Sequence, residues 1–173
     1  MLYCYQERKR RGGRAIKICC FTGHRTITEA ARTALVSLLD TTLRQLYTQG
    51  FREFRVGGAR GFDTLAALRI IAFRQTHEDC RLVVILPCRD QAKGWCAGER
   101  AIWQEIQDRA DTVRCLFEGY TPECMHARNR ALVDGSDLCV AYLTENRGGT
   151  LYTCSYALKN GVELLNLAEE YHK

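Results

Sequence analysis

The chain has 173 residues, of which 46% are hydrophobic and 26% charged, and this balance excludes a largely disordered protein. Its formal net charge is +5, of which residues 1–14 carry +4, so the remainder is close to neutral. No stretch approaches the roughly 20 apolar residues of a membrane span, and no apolar segment follows the basic N-terminus as in a secretory signal, so we predict a cytoplasmic protein with no membrane partner.

A basic N-terminal arm, residues 1–14, comes first in the chain. It holds five basic side chains and one acidic side chain. Two interpretations stay open: the arm contacts phosphate or nucleic acid, or it is a solvated tail. Residues 15–173 are predicted to form a single domain, because their length suits one hydrophobic core.

Short apolar segments then alternate with amphipathic segments. Residues 16–22 predict a first strand, and Thr26-x-x-Glu29 has the spacing of a capping box for a helix that ends at Gly50. Five further strands are predicted at residues 51–56, 82–86, 112–117, 138–143 and 162–167. Four further helices are predicted through residues 65–72, from about 98 to 108, from 121 to 133 and from 150 to 160.

This alternation predicts an α/β, Rossmann-like fold, a three-layer sandwich in which helices cover both faces of a mostly parallel sheet. The continuous apolar run at residues 82–86 supports it, because strands covered on both faces lack polar alternation. Ligands of such sheets bind outside the carboxyl ends of the strands, where the strand order reverses. We therefore expect a functional site in the loops that follow the strands.

Ten cysteines raise the question of a disulfide scaffold or a metal site. The chain has no C-x-x-C pair and no cluster of His and Cys with metal-ligand spacing, so neither is predicted. Five of the cysteines lie in predicted strands, where we expect reduced thiols that behave as small buried hydrophobes: Cys19, Cys20, Cys88, Cys115 and Cys139.

Glycine-rich segments follow the first, second and fifth predicted strands, at Gly23-His24-Arg25, Gly57-Gly58 and Gly148-Gly149-Thr150. Glycine lets the backbone approach a ligand closely. The helix after each loop presents free N–H groups and the positive end of its dipole, which together favour an anion. The loops therefore predict a phosphate site, to which Thr64 and Thr150 add hydroxyl donors and Arg25 adds charge.

Two common nucleotide motifs are missing. There is no G-x-x-x-x-G-K-[ST] segment, which argues against a Walker-type nucleotidase. There is no G-x-G-x-x-G after the first strand, which argues against NAD-dependent hydride transfer. No cofactor and no metal are predicted.

Five segments resemble the SLOG superfamily and, within it, the YpsA-like group: CFTGHR at 20–25, GGARGFDTLAA at 57–67, LPC at 86–88 with Trp95, RNRALVDGSD at 128–137, and GGTLYT at 148–153. The resemblance implies a Rossmann-like fold and relatives of two kinds. One is the DNA-processing protein DprA, which binds single-stranded DNA. The other is the LOG group of phosphoribohydrolases, which release a cytokinin base from its ribose 5′-monophosphate. Other members are thought to sense nucleotide-derived signals.

The chain matches the LOG pattern only in part. Arg128 can match the LOG arginine on the fourth helix. Only one of Arg128 and Arg130 would face a ligand on a helix, because they are two residues apart, and both could instead be solvated. The LOG glutamate position falls on Thr153, which is no ionised base. N-glycosidic cleavage would therefore need another carboxylate, from Asp63 or Asp134, to stabilise its oxocarbenium-like state or activate water. The catalytic candidates are Asp63 and Arg128.

Several candidates also have a structural interpretation, and both readings stay open. Asp63 is either a catalytic carboxylate or a cap of the second helix. Asp134 is either a catalytic carboxylate or a residue that caps or stabilises the following turn. His24 is either an acid or base or a hydrogen-bonded loop residue. Trp95 either stacks on a nucleobase or packs against the helix behind it.

The sequence favours binding or sensing of a nucleotide-derived ligand. The predicted contacts are Gly23, His24, Arg25, Gly57, Gly58, Asp63, Thr64, Pro87, Trp95, Arg128, Gly148, Gly149, Thr150 and Thr153. Two alternatives remain: an N-glycosidic (phosphoribo)hydrolase of a nucleotide, and a DprA-like single-stranded DNA binder that uses the basic arm. The predicted partner is a small nucleotide-like ligand, with nucleic acid and a homo-oligomer left open.

Overall fold

The computed structural model describes residues 16–171, so the basic arm lies outside the described residues. The strands are β1 (Lys17–Gly23), β2 (Phe51–Val56), β3 (Arg81–Cys88), β4 (Thr112–Phe117), β5 (Leu138–Tyr142) and β6 (Glu163–Asn166). The helices are α1 (Glu29–Thr48), α2 (Phe62–Phe73), α3 (Ala97–Asp108), α4 (Cys124–Val133), α5 (Gly148–Lys159) and α6 (Leu167–Tyr171). Within this described part of the chain, no helix has the length and apolar character needed to cross a membrane.

All six strands pair in parallel, in the order β4-β3-β2-β1-β5-β6. The chain builds the sheet outward from β1 to β4 and then crosses to the other side of β1 to add β5 and β6. The strand order therefore reverses between β1 and β5, which is where ligands bind in open α/β sheets. The predicted α/β Rossmann-like fold is confirmed, and the sheet is wholly parallel rather than mostly so.

Two hydrophobic cores lie on opposite faces of the sheet, because successive strand residues point to opposite sides. In β1, Cys19 and Phe21 join the core beneath α1, α2, α3 and α6, whereas Cys20 joins the core beneath α4 and α5. In β3, Leu82 joins the first core and Val83 the second. The result is three layers, with helices on both faces of the sheet.

Helices α1 and α5 begin at residues other than those predicted. The N-cap of α1 is Thr28, not Thr26, and its hydroxyl accepts the N–H of Ala31 at 3.2 Å. Thr28 has the extended backbone of an N-cap, so Glu29 occupies the first helical position rather than the third. Helix α5 begins at Gly148, two residues earlier than predicted, which places the glycine pair inside its first turn.

The ends of two other elements also differ. Helix α4 begins at Cys124 rather than near Pro122, after a turn closed by the Cys124 N–H and the Thr121 carbonyl at 3.2 Å. Strand β6 ends at Asn166, and the short helix α6 follows it without having been predicted. The Asn166 side-chain oxygen accepts the N–H of Ala168 at 3.3 Å, which stabilises this helix start.

Nine cysteines lie within the described residues, and all nine are free thiols. Cys19, Cys20, Cys88 and Cys139 are buried as predicted, but the expectation for Cys115 is wrong, because that side chain is exposed. The reason is the position of β4 at the edge of the sheet, where only β3 pairs with it. Cys96, at the start of α3, is the other exposed thiol among the described residues.

We expect thiol reagents to distinguish these classes in the native protein. Burial raises the pKa of the Cys80 and Cys154 thiols to about 11, so these groups hold little reactive thiolate near neutral pH. Alkylation with iodoacetamide followed by peptide mass spectrometry should modify Cys96 and Cys115 rapidly and Cys80 and Cys154 only after unfolding in urea. Native labelling of Cys154 as fast as that of Cys96 would contradict the buried assignment.

Candidate functional site

Three loops meet at the carboxyl edge of the sheet, and His24 joins them. We call them the β1 loop (residues 24–28), the β2 loop (residues 57–61) and the β5 loop (residues 143–147). The His24 carbonyl accepts the N–H of Phe62 at 3.2 Å, which ties the β1 loop to the start of α2. The His24 Nε2 accepts the N–H of Glu145 at 3.2 Å, which ties the β1 loop to the β5 loop. This geometry makes His24 a hydrogen-bonded junction between loops.

Glycine permits the close approach of the β1 and β2 loops. Gly61 has a φ of +74°, and a Cβ at this position would lie 2.2 Å from the Arg25 carbonyl oxygen. A Cβ on Gly23 would lie 2.5 Å from the Phe62 side chain. Any side chain at these positions would push the two loops apart, which explains glycine there in physical terms.

A buried ion pair lies beneath the β2 loop. Arg128 Nη1 donates to Asp63 Oδ2 at 3.2 Å, and the two residues are 7% and 2% exposed. The same Oδ2 accepts the N–H groups of Gly57 at 3.2 Å and Ala59 at 3.4 Å. Burial raises the pKa of the Asp63 carboxyl, while Arg128 and the two amides oppose that rise. The pair therefore fixes the β2 loop against α4.

These contacts give Asp63 the geometry of a positioning residue. It lies in the first turn of α2, but its Oδ2 turns back to the β2 loop instead of capping the helix. Thr64 also contacts the β2 loop, because its hydroxyl donates to the Ala59 carbonyl at 2.9 Å. Asp63 Oδ2 and the Thr64 hydroxyl thus both hold the backbone of the β2 loop in place.

Positive charge at this edge is only partly neutralised. Arg128 Nε is buried and has no hydrogen-bond partner among the described residues. Burial lowers the pKa of Arg128, and the neighbouring positive charge of Arg25 lowers it further. Arg25 is exposed, and its side chain forms no hydrogen bond or ion pair with the described part of the chain. Of these two neighbouring guanidinium groups only that of Arg128 is paired with a described acid, so the remaining positive charge favours an anion.

The first turn of α5 completes this edge. Gly148 and Gly149 are exposed, and no described side chain caps the helix. The Gly149 carbonyl accepts hydrogen bonds from Thr153 Oγ1 at 2.8 Å and from Asn129 Nδ2 at 3.4 Å. The bond from Asn129 fixes the turn against α4. Thr153 is fully buried and Thr150 is 7% exposed, so the backbone amides are the polar groups this turn offers to a ligand.

The connection between β3 and α3 lies on the other side of the β2 loop. Pro87 is buried within β3, which continues through Cys88. Trp95 is half-buried, and the Arg60 guanidinium lies over its ring at 5.4 Å from the centroid. Gln91, absent from the predicted contacts, donates through Nε2 to the Gly58 carbonyl at 2.9 Å. No local sequence signal marks Gln91, since its partner lies 33 residues away.

Two other candidates lie away from these loops. Asp134 follows the last turn of α4, and its Oδ1 accepts the hydroxyl of Tyr156 at 2.9 Å, near the amino edge of the sheet. Arg130 is half-buried and donates to the Tyr152 hydroxyl at 3.1 Å, so it lies on another side of α4 from Arg128, which contacts Asp63. Arg130 and Tyr152 help to line a shallow cavity of about 370 Å³ between α4 and α5.

Comparison with known sequences gives one family and two relatives. The model of the YspA SLOG family matches residues 12–164. A UPF0398 protein of Halalkalibacterium halodurans is 28% identical over 132 residues, which cover 73% of this chain and 69% of the relative. The SPbeta prophage-derived protein YoqJ of Bacillus subtilis is 24% identical over 134 residues, covering 69% and 78% respectively.

Solved structures share the fold. DNA processing protein A from Helicobacter pylori, described for its single-stranded DNA binding mode, has a TM-score of 0.62 at 20% identity and covers 86% of this chain. DprA from Streptococcus pneumoniae has a TM-score of 0.62 at 14% identity over 86% of this chain. The match spans only 63% and 49% of those two proteins. The protein TM1055 has a TM-score of 0.56 at 16% identity, covering 86% of this chain and 72% of its own.

Proposed function

Since the chain belongs to the YspA SLOG family, we propose that it binds or senses a small nucleotide-derived ligand through a phosphate group. The observation that carries the proposal is the excess positive charge at the carboxyl edge, where Asp63 balances Arg128 but no described acid pairs with Arg25. Arg25 has no partner among the described residues, Arg128 keeps an unpaired buried Nε, and no described side chain caps α5. A phosphate there would balance the charge of Arg25, accept a hydrogen bond from the unpaired Arg128 Nε, and accept the N–H groups of Gly148 and Gly149.

The state of the carboxylates supports binding over hydrolysis. N-glycosidic cleavage needs a carboxylate that can reach the reacting carbon or activate water. Asp63 is 2% exposed and already bound by Arg128 and two amides. Thr153, at the LOG glutamate position, is fully buried and bonded to its own helix. The hydrolase alternative therefore requires a substrate to reach a carboxylate that is 2% exposed and whose Oδ2 already accepts three hydrogen bonds.

Single-stranded DNA binding is a second candidate, suggested by the fold shared with the H. pylori protein. Nonspecific single-strand binders use a continuous positive groove along the nucleic-acid backbone. Here three arginines of the edge loops are already paired with acids: Arg60 with Glu99, Arg89 with Glu118, and Arg147 with Glu145. Among the described residues these pairs interrupt the positive charge along the edge, which suits a small phosphate better than a polymer.

The first experiment is native purification, denaturation and mass spectrometry of the released small molecules. We expect a stoichiometric, intact nucleotide. A free base or ribose phosphate would instead support hydrolysis. Absence of any released nucleotide, combined with tight binding of a labelled oligonucleotide, would support the DNA-binding candidate.

Arg25→Ala should weaken binding of the released nucleotide about tenfold to a hundredfold, because a hydrogen bond to a charged group contributes about 1.5 to 3 kcal/mol. The fold should persist, since this side chain is exposed and unpaired within the described residues. Isothermal titration calorimetry measures the affinity. The matched control is Arg81→Ala, an exposed arginine at the amino end of β3. Equal loss in both variants would indicate a nonspecific charge effect.

A further inference from the structure

A cation–aromatic pair borders the proposed phosphate site. Arg60 follows Ala59, whose N–H contacts Asp63, and precedes Gly61, which packs against the Arg25 carbonyl. The residues on either side of Arg60 are thus fixed, one by the Asp63 carboxylate and the other by the β1 loop. Its guanidinium extends from the β2 loop to lie over the Trp95 ring, 5.4 Å from the centroid. The pair therefore lies against the β2 loop, the loop that Gly61 joins to the β1 loop carrying Arg25.

The indole of Trp95 is held in place from behind. The Trp103 ring meets it edge-on, with centroids 6.3 Å apart and planes at 69°. The Trp95 carbonyl accepts a hydrogen bond from Arg100 Nη1. Gln91, in the same connection between β3 and α3, donates through Nε2 to the Gly57 and Gly58 carbonyls at 3.4 and 2.9 Å. The ring is consequently a fixed surface whose position follows that of the β2 loop.

An ion pair with Glu99 holds the guanidinium of Arg60 in position. Glu99 Oε1 accepts from Arg60 Nη1 at 3.2 Å, and Glu99 itself belongs to a capping box in which its Oε2 accepts the Cys96 N–H at 3.1 Å. The Arg60 and Glu99 side chains are 44% and 37% exposed, so this ion pair faces solvent. A planar cation backed by an indole and open to solvent is a surface on which another flat ring can stack.

We propose that Arg60 and Trp95 form the nucleobase subsite of this protein, so that its ligand is a nucleotide carrying an aromatic base and not a sugar phosphate alone. The proposal rests on the proposed function, because the phosphate site anchors the other end of the same ligand. Stacking on this pair uses the face of the base, which every nucleobase has. The subsite therefore selects for the presence of a base more strongly than for its identity.

Calorimetric titrations of the full chain with the four common nucleoside 5′-monophosphates and with ribose 5-phosphate test this subsite. At least one monophosphate should bind about tenfold more tightly than ribose 5-phosphate, because stacking of one base is worth about that much. Trp95→Ala and Arg60→Ala should each reduce that preference while leaving the affinity for ribose 5-phosphate unchanged. The Arg60 variant changes an exposed side chain, so it still tests the subsite if the Trp95→Ala protein fails to fold.

Trp103→Phe supplies a second readout, because it keeps an aromatic ring behind the indole and leaves Trp95 as the sole tryptophan of the two in the chain. Its fluorescence should change with a nucleoside monophosphate and not with ribose 5-phosphate. Equal wild-type affinity for the two ligand types, or a preference that survives both Trp95→Ala and Arg60→Ala, overturns the subsite but leaves the phosphate site standing. Failure of every probe to bind overturns the proposed function itself.

Discussion

Replacing Gly57 by alanine is expected to lower the free energy of unfolding by about 3 to 5 kcal/mol, the range measured for breaking a buried ion pair. A Cβ at this position would lie 1.5 Å from Arg128 Nη1 and 2.8 Å from Asp63 Oδ2. The guanidinium would have to move away from the carboxylate, and both groups are more than nine-tenths buried. The carboxylate would then remain in the interior without its counterion.

Urea unfolding followed by circular dichroism measures this loss. The matched control is Gly98→Ala in the first turn of α3, where a Cβ would meet nothing within 4 Å. That change should be neutral or stabilise the protein by up to about 1 kcal/mol, because alanine has the higher helix propensity. A Gly57→Ala protein that unfolds at the wild-type urea concentration would show that Arg128 can leave Asp63 at no cost.

Arg128→Met should produce a loss of similar size, about 3 to 5 kcal/mol, because it leaves the Asp63 carboxylate buried and unpaired. Asp63→Asn should also destabilise the protein, since it leaves the guanidinium without an anion, although the amide oxygen can still accept from Gly57 and Ala59. In the double variant both charges are gone. Its loss should be smaller than the sum of the single losses by about 2 kcal/mol or more.

A double-mutant cycle of four proteins, measured by urea unfolding, tests this coupling. Additive losses would mean that the ion pair contributes nothing specific to stability. The folded double variant also separates stability from binding, because it lacks the Arg128 guanidinium that we propose as a phosphate contact. Wild-type affinity for the nucleotide in that protein would remove Arg128 from the binding site.

Much of the fold could be predicted because its signals are local. The apolar run at residues 82–86 predicted a buried strand, and β3 spans it. The glycine segments after β1, β2 and β5 predicted loops at one edge of the sheet, and parallel pairing places their carboxyl ends there. The family was also predictable, since its motifs are short runs of adjacent residues such as GGARGFDTLAA.

Errors arose where neighbours in space decide the outcome. Cys115 lies in an apolar segment, but its strand became the edge of the sheet and its thiol is exposed. Thr26 had the spacing of a helix cap, but Thr28 took that role because the chain leaves the β1 loop two residues later. Gln91 reached the carbonyls of the β2 loop, 33 residues away, and no periodic pattern could indicate this contact.

By itself, the sequence determined the order of strands and helices, the family, and the loops that form the carboxyl edge, since periodicity, glycine and short motifs are properties of neighbouring residues. The tertiary structure alone decided what the polar side chains in those loops do. It paired Asp63 with Arg128, 65 residues apart, and left Arg25 without an acid among the described residues. Burial and proximity set whether a carboxylate is a base or a counterion, and both arise only when distant segments pack together.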